Sequence, residues 1–228
     1  MKKYTDTGKK DTRSGFGAGL LIAGKADERI VALTADLKGS LKMDAFAKEF
    51  PERFFQCGIA EANMVGAAAQ YEGPVYLRFG RPAVPNFTPE DEPFVIGKAI
   101  VLNEGSDVTL IACGHTVWES LLAAEALEAE GIKAEVINMA TIKPLDEEAL
   151  IKSARKTGAV VVSEEHNLSG GLGEAVAAVL ARECPTPMVF VNGQDKFGQS
   201  GTPSALMAAY GLDAPHIAEA AKKAIAKK

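Results

Sequence analysis

The 228-residue chain has only three cysteines, Cys57, Cys113 and Cys184, spread too widely for a disulfide framework. None sits in a Cys-x-x-Cys pair that could join histidines around zinc, so reduced thiols in a cytoplasmic protein are expected. No apolar run approaches the ~20 residues of a membrane span, and the first residues lack the apolar core of a signal peptide. Neither membrane association nor export is therefore expected. The net charge is −5, and lysine and arginine are scattered except near the two ends, so no basic stripe points to nucleic acid. Aromatic residues make up only 7%, with one tryptophan, Trp118, that reads as packing.

The composition is otherwise that of a folded protein, 47% hydrophobic and 24% charged. The length suits two modest domains. Residues 11–25 read as a small-residue helix with Arg13 in its first turn. A cation there opposes the helix dipole, so Arg13 is either an ordinary surface arginine or the partner of an anion. Residues 29–35 read as a buried strand running into Asp36 and Ser40, which either cap the helix near 43–50 or line the rim of a site at the strand end.

The stretch from Phe54 to Gln70 passes from a short apolar strand through Gly58 into a small-residue helix carrying one carboxylate, Glu61. Strand-to-helix turns of this kind are where open α/β sheets place ligands. A further strand, 75–79, ends at Gly80-Arg81, which adds Arg81 to the same rim. Five of the eleven prolines fall between Pro74 and Pro93, which marks an extended linker and a domain boundary near residue 92.

From Phe94 onward the pattern is regular β/α alternation. Strands are expected at 107–113, 134–139, 159–164 and 187–192, with helices at 116–130, 146–157, 172–183, 203–210 and 214–226. This predicts a mostly parallel sheet covered on both faces. The run Glu164 to Gly173 is rich in glycine at a strand-to-helix turn; it either holds an anion on backbone N–H groups or serves tight turning and close helix packing, the reading preferred here. His115, His166 and His216 read as loop or surface residues.

Taken together, several strings resemble the transketolase family. Phe46 to Phe55 followed by Gly58-Ile59-Ala60-Glu61-Ala62-Asn63-Met64 is similar to its pyrimidine-binding domain. Tyr76 to Arg81, Thr141 to Asp146, Glu164 to Gly173 and Phe197 to Gly201 are similar to the end of that domain and to the family's C-terminal domain. The resemblance implies an α/β protein of two domains: a shortened pyrimidine-binding domain over 1–92 and a three-layer α/β/α domain over 93–228.

It also implies a cofactor, thiamine diphosphate, which carries the chemistry while the protein orients it. Glu61 would hold the aminopyrimidine as the catalytic carboxylate, with Asp36 securing the cofactor site and Arg13, Ser40 and Arg81 anchoring the phosphate of a sugar phosphate. Two departures shape the expectation. No Gly-Asp-Gly with a following Asn pair is present, so the diphosphate and its Mg2+ or Ca2+ would be held by a separate N-terminal subunit, no metal being held by this chain. Between Gln70 and Tyr71 the family has a further stretch of about half a domain.

The implied function is the C-terminal subunit of a split transketolase of the pentose phosphate pathway, inactive alone and assembled as a dimer or heterotetramer. Alternatives are a non-catalytic assembly module, or a related subunit of the deoxyxylulose-phosphate synthase or 2-oxo acid dehydrogenase β type.

Overall fold

The computed structural model describes residues 9–34, 38–39, 41–56, 83–85, 87 and 95–228. The chain divides into two compact units, one within Asp6–Asn86 and one within Phe87–Lys228.

In the first unit, β1 (Lys9–Asp11) leads into α1 (Thr12–Ala26), followed by β2 (Ala32–Thr34), α2 (Asp44–Glu49), a 3-10 turn at Pro51–Arg53, β3 (Phe54–Gln56) and β4 (Ala83–Pro85). β2 and β3 pair in parallel, Ala32 opposite Phe54 and Thr34 opposite Gln56. Ala32, Leu41, Met43 and Phe46 form a small buried core, against which Phe16 and Leu20 of α1 pack.

Glycine is a poor helix former, by ~1 kcal/mol against alanine, yet α1 contains four. Packing requires two of them. A Cβ on Gly17 would stand 2.1 Å from the Lys42 carbonyl oxygen, and one on Gly24 would stand 2.4 Å from the Phe46 ring.

Two sequence expectations change here. The strand expected from Arg29 begins only at Ala32, because the Asp27 carboxylate takes the Arg29 N–H at 2.9 Å and folds that segment into a turn. The proline-rich stretch is not wholly linker: β4 pairs antiparallel with β1, Pro85 opposite Lys9. A proline fits a strand end that needs no further ladder bond. The expected strand at 75–79 and the helix after Gly58 lie outside the described residues.

The second unit contains β5 (Ile100–Asn103), β6 (Val108–Ala112), α3 (Thr116–Ala129), β7 (Ala134–Asn138), α4 (Glu147–Thr157), β8 (Val160–Ser163), α5 (Leu172–Glu183), β9 (Met188–Val191), α6 (Pro203–Ala209) and α7 (Ala214–Ile225). Its sheet has the order β5-β7-β6-β8-β9. All neighbours are parallel except the edge strand β5, which runs antiparallel to β7.

The central strands are buried on both sides, as parallel sheets require. Leu110, Val136 and Val161 face a core shared with α3, α6 and α7, while Ile111, Ile137 and Val162 face a second core shared with α4 and α5. The expected strands and helices of this unit are therefore present, and β5 is an addition. Asp146 caps α4 by accepting from the Ala149 N–H at 3.2 Å, and its other oxygen accepts from Ala99 at 3.0 Å. That second bond ties β5's approach to the helix start.

Candidate active-site rim

Of the five residues singled out from the sequence, Arg13 is described; Asp36, Ser40, Glu61 and Arg81 lie outside the described residues. Arg13 is half-buried in the first turn of α1, a turn with no acidic residue. The exits toward Asp36 and Glu61 can still be traced. β2 ends at Thr34 and β3 ends at Gln56, and these two residues are opposite each other in a parallel pair. The chain thus leaves for Asp36 and Glu61 from the same end of neighbouring strands, the carboxyl end, where α/β sheets take ligands.

α1 also packs against the turn that holds Lys42. Gly17 lies one turn beyond Arg13 on the same face of α1, and it presses on the backbone of Lys42. The turn holding Lys42 is closed by its own N–H to the Gly39 carbonyl at 3.2 Å and by Met43 N–H to the Lys38 carbonyl at 3.0 Å. Lys42 itself has φ +57°, the left-handed region that non-glycine residues rarely occupy, and it is exposed between buried Leu41 and Met43. Nothing in the residue pattern around Lys42 signals this conformation.

The far end of α1 is held by Arg53. Its Nη1 donates to the carbonyl oxygens of Gly24 and Asp27, both at 3.1 Å, satisfying carbonyls at the helix end that have no intrahelical partner. Its guanidinium carbon lies 3.7 Å from the centre of the Phe50 ring. Because β3 starts at the next residue, one side chain fixes both α1 and the strand that leads toward Glu61.

In the second unit the glycine-rich run is already filled from within. Glu164, at the end of β8 and buried, accepts from the N–H groups of Leu172 at 2.7 Å and Gly173 at 2.8 Å. The N-terminus of α5 thus carries an internal carboxylate where an anion would bind. Gly171 and Gly173 make room for it: a Cβ on Gly171 would stand 2.3 Å from Glu164 Oε2, and one on Gly173 2.7 Å from the Phe190 ring. His166 contributes its backbone carbonyl, which accepts from Gly193 at 2.8 Å.

Among the described residues no group of three His, Cys, Asp or Glu side chains is placed to hold a metal. No helix among them is long and apolar enough to cross a membrane.

Comparison with known proteins decides the family. Residues 8–79 match the family model of the transketolase pyrimidine-binding domain, and residues 97–217 match that of the transketolase C-terminal domain. The chain belongs to the transketolase family. It has the make-up of the C-terminal section of such an enzyme, the half of a thiamine-diphosphate-dependent transketolase that follows the diphosphate-binding domain.

Among transketolase relatives it is 32% identical to a 6-deoxy-6-sulfo-D-fructose transketolase subunit of Clostridium sp. (strain MSTE9), with 92% of each chain covered. It is 30% identical to an apulose-4-phosphate transketolase subunit of Phocaeicola vulgatus, covering 94% of this chain and 97% of the relative. A solved split-gene transketolase, described as an inactive β4 tetramer, superposes with a TM-score of 0.85 at 37% identity, over 95% of this chain and 98% of the other.

The alignment with the Clostridium subunit extends over 298 positions, whereas 92% of 228 residues is about 210, so roughly 90 positions lack a counterpart in this chain. That number is of the size expected for the family segment between Gln70 and Tyr71.

Proposed function

We propose that this chain is the C-terminal subunit of a split transketolase, transferring a two-carbon ketol unit between sugar phosphates together with a separate diphosphate-binding subunit. The observation that carries the reading is the parallel β2–β3 pair, whose carboxyl ends lead toward Asp36 and Glu61 in a chain matching the family's pyrimidine-binding domain. Residues 1–92 serve as that domain and 93–228 as the C-terminal domain.

Glu61 is the residue to hold the pyrimidine ring, sharing a proton with the ring nitrogen from a desolvated carboxylate. Thiamine diphosphate, when bound, supplies the nucleophilic carbon that takes up the two-carbon unit. The diphosphate and its Mg2+ or Ca2+ belong to the partner, since the sequence lacks a Gly-Asp-Gly with a following Asn pair. Asp36 steadies the cofactor pocket. Arg13, Ser40 and Arg81 form the phosphate anchor, and the packing of Gly17 on Lys42 supports placing Arg13 beside the Ser40 turn.

The working unit is a dimer or heterotetramer in the cytoplasm, acting in the interconversion of pentose phosphates, and the isolated chain is inactive. Relatives named for a sulfonated fructose and for apulose 4-phosphate indicate that the sugar varies within the group.

Reconstitution tests this reading. The chain mixed with a diphosphate-binding subunit, thiamine diphosphate and Mg2+ is expected to transfer two-carbon units between sugar phosphates, and Glu61→Ala is expected to abolish transfer. A mixture that assembles but neither binds the cofactor nor turns over would instead make the chain an assembly module.

A further inference from the structure

We infer that the open edge of β5 is the surface through which two copies of this chain pair. The inference names an interface for the self-association in the proposed function, and it rests on that reading. Among the described residues β5 bonds to β7 alone, so every second N–H and C=O along its backbone faces outward without a strand partner. Natural edges are blunted by charge, proline or cover, and Ile100-Val101-Leu102 carries neither charge nor proline. Val101 is 42% exposed, whereas the opposite edge strand, β9, has no exposed residue. Val95 and Ile96, just before β5, and Ile142 are exposed as well, and the Gly97 N–H, donating to the Thr141 hydroxyl at 3.0 Å, holds these two segments together.

Charge selects a second copy as the occupant. Lys98 precedes the strand and Glu104 follows it, each three residues from Val101. Two β5 strands paired antiparallel about a two-fold axis at Val101 therefore bring each Lys98 opposite the other copy's Glu104. The neighbouring helix repeats the pattern with the signs reversed. Val101 lies opposite Ile137, whose side chain belongs to the core under α4 and α5, so Val101 is on the α4 face of the sheet. α4 opens with Glu147 and Glu148 and ends with Arg155 and Lys156. Lys98 is 3.8 Å from Glu148 and Glu104 is 2.6 Å from Lys156, so strand and helix run in the same direction along this edge. The same two-fold axis thus turns the acidic start of one α4 toward the basic end of the other. The Lys98 and Glu104 side chains stay 59% and 80% exposed, open to a second partner of opposite sign. A surface that is complementary to itself in this way is what an interface between identical copies requires.

The test uses the full chain. Sedimentation over a range of concentrations is expected to show self-association of wild type, weakened about tenfold or more by Val101→Lys, which sets like charges on the axis. Lys98→Glu and Glu104→Lys each place like charges against one another and weaken it too. An equimolar mixture of these two variants should associate again, because each copy then meets the opposite sign at both ends of the strand. The mixture keeps the test decisive should Val101→Lys fold poorly. Residues opposite one another in an antiparallel pair have Cα atoms about 4.5 to 5.5 Å apart, within the span of a disulfide. Val101→Cys is therefore expected to cross-link between copies under mild oxidation, with wild type and Ile142→Cys as controls.

Undiminished self-association of Val101→Lys, no gain on mixing the two charge variants, or Val101→Cys cross-linking no faster than the controls overturns the assignment, as does a wild type that stays monomeric. Loss of assembly with a diphosphate-binding subunit in Val101→Lys, with self-association intact, gives the edge to that subunit instead. None of these results bears on two-carbon transfer by the reconstituted wild-type complex, the measurement on which the transketolase reading stands.

Discussion

The Arg53 guanidinium stacks on the Phe50 ring at 3.7 Å while donating to the carbonyls of Gly24 and Asp27. Phe50 meets Phe46 edge-on, with ring centres 5.1 Å apart, so the cation, two rings and the end of α1 form one block. Arg53→Met keeps much of the stem's packing and loses the hydrogen bonds and the cation–π contact, a combined cost of about 2 to 3 kcal/mol. Urea unfolding of the chain is expected to show that loss, and Arg53→Lys to recover only part of it, since an ammonium lacks the planar fork and stacks less well. Equal stability of Arg53→Met and wild type would remove Arg53 from the account of how α1 is held.

Glu164 gives a second prediction. Its two oxygens each accept one N–H, from Leu172 and Gly173, so Glu164→Gln must turn an NH2 group toward one of those donors. A loss of about 2 to 3 kcal/mol is expected, read by thermal or urea unfolding. Glu164→Ala leaves the N-terminus of α5 without its carboxylate, and acetate or sulfate added to this variant should raise its melting temperature more than that of wild type. Identical anion responses in the two proteins would show that Glu164 does not occupy an anion position.

The second unit was readable from the sequence because its strands are buried on both faces. Runs such as Val160-Val161-Val162 admit few other interpretations, and Asp146 before Glu147-Glu148 announces a helix start by its chemistry. What escaped was non-local. β5 and the β1–β4 pair exist through partners more than thirty residues away, and Arg53 reaches back 26 and 29 residues to its acceptors. The glycines after Glu164 were visible as a turn, but not that the carboxylate upstream would take their N–H groups. Lys42 is a property of φ, which a lysine codon does not advertise. On the site itself, Glu61 and its companions were named through family resemblance, and the described geometry adds the paired strand exits and the Gly17–Lys42 contact.

Gly17 supplies the third prediction. Alanine is the better helix former by ~1 kcal/mol, so on propensity alone Gly17→Ala would stabilise α1. A Cβ 2.1 Å from the Lys42 carbonyl oxygen forbids that, and the helix must shift or the turn must open. Overpacking of this kind costs about 1 to 3 kcal/mol. Gly15→Ala, where a Cβ meets nothing within 4 Å, is the control and is expected to be neutral or stabilising. The two variants compared by thermal unfolding separate packing from propensity, and a Gly17→Ala protein as stable as Gly15→Ala would refute the contact.

The fourth prediction concerns Lys156, which bridges Glu135 and Glu104. Glu135 on β7 is almost wholly buried and pairs directly with the Lys156 ammonium, while exposed Glu104 meets the same ammonium at 2.6 Å. Burial alone would lower the Lys156 pKa, but the hydrogen bonds it donates to Glu104 and Glu135, with their negative charges, outweigh it and the pKa is raised. The Glu104 pKa is lowered, chiefly by its hydrogen bond to Lys156. Lys156→Met strands a buried carboxylate and is expected to cost about 3 to 5 kcal/mol, whereas Glu135→Leu combined with Lys156→Met should return close to wild type.

The pH dependence has two signs. A depressed carboxylate contributes stability that is present above its unfolded value and lost as pH falls through the folded one, so the Glu104 share fades in acid; the exposure of Glu104 keeps that share small. A raised lysine contributes below its unfolded value of 10.5 and loses that contribution as pH rises through the folded one, so the Lys156 share fades in strong alkali. Because the double variant is expected to match wild type where the bridge is fully charged, urea midpoints of the two measured from acid to alkaline pH should lie closest between the extremes and diverge toward acid and strong alkali, where wild type alone loses the bridge's contribution. A constant difference across that range would mean that the bridge does not titrate with folding.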